Sequence, residues 1–141
     1  MINLAVGFRV DFLWYQVGHG DFLHSFFSTI SYHLEPDGWG TRYPYLLKKL
    51  YQGKLSWEEA SKALEEVENI QMQLEKYTPD KVIWDIEDLS KQPPWKDNIS
   101  SEITSLSNYF VTSDGRDLIE ILKKAMQDSI EEKINIEIAS I

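Results

Sequence analysis

From Leu4, apolar side chains alternate with polar or small ones, with Val6, Phe8, Val10 and Phe12 on one side and Ala5, Gly7, Arg9 and Asp11 on the other. A period of two marks a strand with one buried face. The pattern predicts one long or bent strand over residues 3–15. Gly18 and Gly20 then break it, and Asp21 is the expected N-cap of a helix through "FLHSFFSTISYHL". Phe22, Leu23, Phe26, Phe27, Ile30 and Leu34 recur at helical spacing and form its buried stripe.

The stretch "EPDGWGTRYPYL" is turn chemistry around a large aromatic, with Pro36, Asp37, Gly38 and Gly40 bracketing Trp39. "YPYLLKKLYQG" follows as a short helix with Pro44 in its first turn and Gly53 as its stop. Ser56 and Glu59 have the spacing of a capping box. Beyond them Trp57, Ala60, Ala63, Leu64, Val67, Ile70, Leu74 and Tyr77 line one face of a long helix. Its opposite face carries Glu58, Glu65, Glu66, Glu68 and Glu75.

"KVIWDIEDL" and "SNYFVTSDG" are β-favourable runs and are expected as strands. The first ends in Asp85, Glu87 and Asp88, and Pro93 and Pro94 then introduce a second loop tryptophan, Trp95. Asp114 or Asp117 can cap a last helix on Leu118, Ile121, Leu122 and Ala125, and the alternating tail "INIEIASI" predicts a terminal strand. The expected order is β-α-α-α-β-β-α-β. That is an α+β fold, one domain over residues 1–141, with helices on one face of a mixed or antiparallel sheet. The pattern leaves the strand order open.

Composition narrows the chemistry. With no cysteine, disulfides, thiolate metal sites and thiol catalysis are excluded. Arg9 and Asp11 interrupt the apolar N-terminus, no long apolar run occurs, and no signal-peptide pattern is present, so a cytoplasmic, membrane-free protein is expected. There are 14 Lys and Arg against 23 Asp and Glu, a net charge of -9. The first fifty residues are balanced, with Arg9, Arg42, Lys48 and Lys49 against Asp11, Asp21, Glu35 and Asp37, so the whole excess lies beyond them. A field of that sign repels nucleic-acid phosphates and attracts basic surfaces.

Motifs for turnover are weak. His19 and His24 are five apart, which turns helical rings about 140° from one another, away from the one-face pairing a zinc helix uses. On a strand Asp85 and Glu87 would share a face, but no histidine, lysine or phosphate-binding glycine loop lies near them in sequence. No dinucleotide, P-loop or nucleophile-elbow motif occurs. No catalytic residue, metal or cofactor is assigned. The unusual feature is the aromatic content of two loops, Trp39 with Tyr43 and Tyr45, and Trp95 beside two prolines. Such a ring is either a lid over the core or an anchor at a partner interface.

Three blocks, "VGFRVDFLWYQVGHGDFLHSFFSTISYHLE", "GWGTRYPYLLKKLYQGKL" and "LSNYFVTSDGRDL", resemble the immunity protein 70 family, antitoxins of bacterial polymorphic toxin systems. The resemblance covers nearly the whole chain. It implies a cytoplasmic protein that binds and blocks the C-terminal domain of a cognate toxin, for which a nuclease with a basic cleft is a fitting candidate. Trp39, Tyr43, Asp85, Glu87, Asp88, Trp95 and Asp97 are the expected contacts, chosen by loop position and charge. A carboxylate and histidine metal-dependent enzyme, and a homo-oligomeric adaptor, are the alternatives. The oligomeric state is left open.

Overall fold

The computed structural model of the chain describes residues 5–140. Its elements run β1 (Ala5–Val10), β2 (Leu13–His19), α1 (Gly20–Leu34), β3 (Lys54–Leu55), α2 (Ala60–Leu74), α3 (Leu118–Glu132) and β4 (Ile136–Ser140). The strands form one antiparallel sheet in the order β2-β1-β4-β3. Phe8, Val10, Tyr15, Val17 and Ile136 turn inward from it onto the helices, while Arg9 faces out. This is the expected α+β class. Each fully buried aliphatic or aromatic side chain contributes about 1.5–3 kcal/mol by leaving water.

The N-terminal segment is a hairpin, not one strand. Val10 pairs with Leu13 across a two-residue turn, Asp11 and Phe12, in which Asp11 takes a φ of 55°. Alternation carried the strand reading across this point because no glycine marks the reversal and aspartate tolerates the left-handed region. Leu4 and Asn3 lie outside the described residues. A register shift between Val6 and Gly7 bends the pair. Gly7 is required there, since a Cβ would sit 2.4 Å from the Tyr15 carbonyl oxygen and 2.8 Å from the Trp14 ring.

Helix caps differ from expectation in detail. His19, one residue ahead of the helix, caps α1: its Nδ1 accepts from the Asp21 N–H at 3.1 Å, and the helix opens at Gly20. Ser56 accepts from Glu58 N–H rather than pairing reciprocally with Glu59, and a 3-10 turn at Trp57–Glu59 precedes α2. Asp117 caps α3 through the Glu120 N–H at 3.2 Å. The "YPYLLKKLYQG" segment is a π turn, Tyr45–Lys49, tightening to a 3-10 turn, Leu50–Gln52, with Gly53 at a φ of 121°.

Neither "KVIWDIEDL" nor "SNYFVTSDG" is a strand. The first has no ladder and the second contributes a single bridge, Val111 to Asp117. β-propensity did not decide either: side chains of α1 take the backbone of the first, and the second meets the β2 edge only through Ser113 N–H, which donates to the Val17 carbonyl at 3.0 Å. Residues 75–117 therefore form a strap whose only helical piece is a 3-10 turn at Pro79–Lys81. Long irregular stretches inside compact domains usually carry function.

Candidate functional site

The strap is held by a line of hydroxyls on α1. Ser25, Ser28 and Thr29 are buried, an odd choice for a helix packed in a core. Their partners explain it. Thr29 Oγ1 accepts from the Ile83 N–H at 3.0 Å and donates to its carbonyl at 3.1 Å, Ser25 Oγ donates to the same carbonyl at 2.7 Å, and Ser28 Oγ accepts from Ile86 N–H at 3.2 Å. A strand would have given this backbone a ladder; here side chains satisfy it.

That anchoring presents the acidic run. Asp85 Oδ1 accepts from the Glu87 N–H at 2.9 Å and lies 3.2 Å from His24 Nε2, and its Oδ2 faces Lys91 Nζ at 3.6 Å. The Glu87 amide, with His24 and Lys91, holds the Asp85 carboxyl below the usual range. Asp88 is held down by the hydroxyl and amide of Ser90. Both are charged at neutral pH. Because the segment turns, Asp85 points back to α1 while Glu87 and Asp88 are exposed, so the shared strand face is absent.

The expected aromatic contacts are each bonded within the fold. Trp39 is half-buried, its indole N–H donating to the Leu47 carbonyl at 2.9 Å and its ring meeting Tyr51 edge-on at 4.9 Å. Tyr43 is 3% exposed and donates its hydroxyl to Asn69 Oδ1 at 2.6 Å. Trp95 is half-buried between Phe22 and Trp84, and its N–H donates to the Tyr109 hydroxyl at 2.8 Å. Asp97 is exposed at the rim of a cleft of about 480 Å³ between Val82, Leu89, Lys91 and Tyr109. The two loops are linked: Trp39 touches Tyr51, Tyr51 Oη lies 3.3 Å from His24 Nδ1, and His24 reaches Asp85.

Two carboxylates hold the Trp39 loop. Glu35 is buried, Oε1 accepting from Gly40 N–H and Oε2 from Arg42 and Tyr43 N–H at 2.9 to 3.1 Å. Gly40 has a φ of 76°, and a Cβ there would strike the Lys48 chain. Glu66 takes the next amides, Leu46 at 2.9 Å and Tyr45 at 3.3 Å. Burial pushes Glu66 up to about 7 against the pull of those amides. Glu66 thus leaves the solvent ridge that its helix position predicts.

The family model for immunity protein 70 matches residues 8–138. The chain belongs to that family. No curated protein and no solved structure matches it. Membership in the immunity protein 70 family supports an immunity role through binding of a cognate toxin, and a non-enzymatic inhibitor. Among the described residues no helix is long and apolar enough to cross a membrane.

In this immunity protein 70 family member the histidines serve different ends. His19 caps α1, His24 joins the strap, and His33 Nε2 lies 2.7 Å from the Lys81 carbonyl oxygen while its ring stacks on Tyr77. Sequence reasoning passed over Ser25, Ser28, Thr29, Glu35 and Phe12. Hydroxyls on the apolar face of "FLHSFFSTISYHL" were the available signal for the first three. Glu35 had one in its place before a glycine turn. Phe12 had none, because its strand reading buried it.

Proposed function

We propose that this member of the immunity protein 70 family neutralises the C-terminal domain of its cognate toxin in the cytoplasm of the producing cell, by stoichiometric docking and without turnover. The observation that carries the reading is the acidic run on an anchored strap. Glu87 and Asp88 stand exposed beside Asp85, and Asp97 follows across the cleft. Carboxylates carried on an anchored backbone meet a basic surface with less ordering cost than those of a floppy acidic loop. A nuclease domain, whose substrate cleft is basic, is the toxin class this charge suits, and the inhibitor would occupy that cleft in place of nucleic acid.

In this reading Asp85, Glu87, Asp88 and Asp97 make the electrostatic contact. Trp39, Tyr43 and Trp95 hold the loops in shape. The test is co-expression with the toxin domain encoded beside it, followed by purification of the pair. Protected cells and a one-to-one complex are expected. A toxin that still kills, and a purified pair that elutes separately, would overturn the reading.

A further inference from the structure

We infer that Phe12, at the tip of the β1–β2 hairpin, is the apolar anchor of the toxin interface and enters an apolar pocket on that partner. The inference rests on the inhibitor reading above and names the part of the surface that holds the complex together. Phe12 is 93% exposed, more than any other large apolar side chain among the described residues, and Leu13 beside it is also exposed. Neither Trp39, Tyr43 nor Trp95 is free in this way, since each polar tip is bonded within the fold.

The turn itself does not need a phenylalanine. Of its two residues only Asp11 has a positive φ, the pattern of a turn whose conformational demand falls on the first residue and not on the second. Here Asp11 supplies the positive φ, and the next position carries a large ring that touches no core. Beside Asp11 is a shallow recess of about 350 Å³ among Arg9, Asp11, Lys54, Ile134, Asn135 and Glu137, with Arg9 and Glu137 paired at 2.8 Å. An exposed aromatic next to polar groups of both signs matches the apolar centre and polar rim of an interface hot spot. A Phe entering a pocket buries roughly 150–250 Å² on a hairpin already ordered by the sheet.

The occupant is a different protein rather than a second copy. Every copy carries a net charge of -9, which opposes self-association. An aromatic recess able to receive a ring exists on this chain, about 240 Å³ among Phe22, Trp95, Ile99, Ile103 and Val111. It lies with the strap, which crosses β2 at Val17, away from the hairpin tip. Knob and hole at different ends would make a head-to-tail contact, a ring or a filament and not a two-fold dimer. One toxin can reach both the tip and the strap: seven residues of strand span about 23 Å, and a standard interface patch of about 800 Å² per partner is of similar width.

The division of labour is then specific, with strap carboxylates setting the association rate and Phe12 the dissociation rate. Binding of the purified toxin domain encoded beside this chain is measured first with wild type, then with Phe12→Ala and Phe12→Gly. Phe12 does not share the positive φ of Asp11, so the alanine variant keeps the turn and should unfold close to wild type, while the glycine variant, with a freer unfolded chain, should unfold slightly earlier. Affinity should fall on the order of 30-fold or more, chiefly through faster dissociation. Wild type that binds together with variants that bind equally well overturns the anchor and leaves the inhibitor reading standing; wild type that fails to bind overturns that reading. Concentration-dependent self-association abolished by Phe12→Ala would assign the knob to a second copy and overturn the inference.

Discussion

The indole N–H of Trp39 points back into the fold and ends on the Leu47 carbonyl, 2.9 Å away, across the turn that Gly38 and Gly40 make. A ring bracketed by glycines is thus a lid on the π turn, with Tyr51 packed against it edge-on. Trp39→Ala is expected to lower unfolding free energy by about 2–4 kcal/mol, from lost burial plus an orphaned carbonyl. Trp39→Phe keeps an aromatic ring but loses the indole N–H, and should cost about 1 kcal/mol. Urea unfolding of both checks this, and toxin affinity of the folded variants should change less than about threefold. A stable Trp39→Ala protein with strongly weakened binding would instead make Trp39 a contact.

Thr29 bonds both backbone groups of Ile83, at 3.0 and 3.1 Å, as the partner of its N–H and as one of two donors, with Ser25, to its carbonyl. Thr29→Val preserves shape and removes both, leaving a half-buried amide without a partner. The expected cost is about 1–3 kcal/mol. It should fall locally: amide hydrogen exchange at Ile83 and Ile86 should accelerate while α2 and α3 stay protected. Equal acceleration through the whole domain would show the strap to be no separate unit.

Glu66 gives the chain a pH dependence of known sign. Its carboxyl is held near 7 in the fold, chiefly by burial, against an ordinary value of 4.5. The folded state therefore binds this proton more tightly than the unfolded state. Stability from that group is full below about pH 4.5 and is lost as pH rises through 7, where a charged carboxylate must sit half-buried. From pH 5 to pH 8 the loss is about 1–3 kcal/mol. Glu66→Gln cannot titrate, so the difference between it and wild type should move by that amount toward the variant. An unchanged difference between the two pH values would refute the assignment.

Several features were legible in the residues because one local rule decided each. The α1, α2 and α3 stripes follow the helical period, Asp117 caps where an aspartate before an apolar run should, and Ile136 and Ile138 announce β4. What failed needed tertiary information. "KVIWDIEDL" has strand propensity, yet its backbone is claimed by Ser25, Ser28 and Thr29 from another element. The two residues of β3 are ordered by pairing with Glu137 and Ile136, far away in sequence. At the candidate site, no pattern tells which face of a loop tryptophan meets the core. The inward turn of Trp39 depends on Leu47, and that of Trp95 on Tyr109.

The exposed acids supply the last test. Asp85 is tied to His24, Lys91 and the Glu87 amide, so neutralising it would disturb the strap as well as the charge. Glu87 and Asp97 have no such bonds to lose from their carboxylates among the described residues. The double variant Glu87→Gln, Asp97→Asn should keep its thermal midpoint and lose about 3- to 10-fold in association rate with the toxin at low salt. The deficit should shrink as salt is raised, because screening removes from wild type what the substitutions have already removed from the variant. Stopped-flow association at two ionic strengths separates the cases. A wild-type rate indifferent to salt would show that the acidic strap does not steer the encounter, whatever holds the complex afterwards.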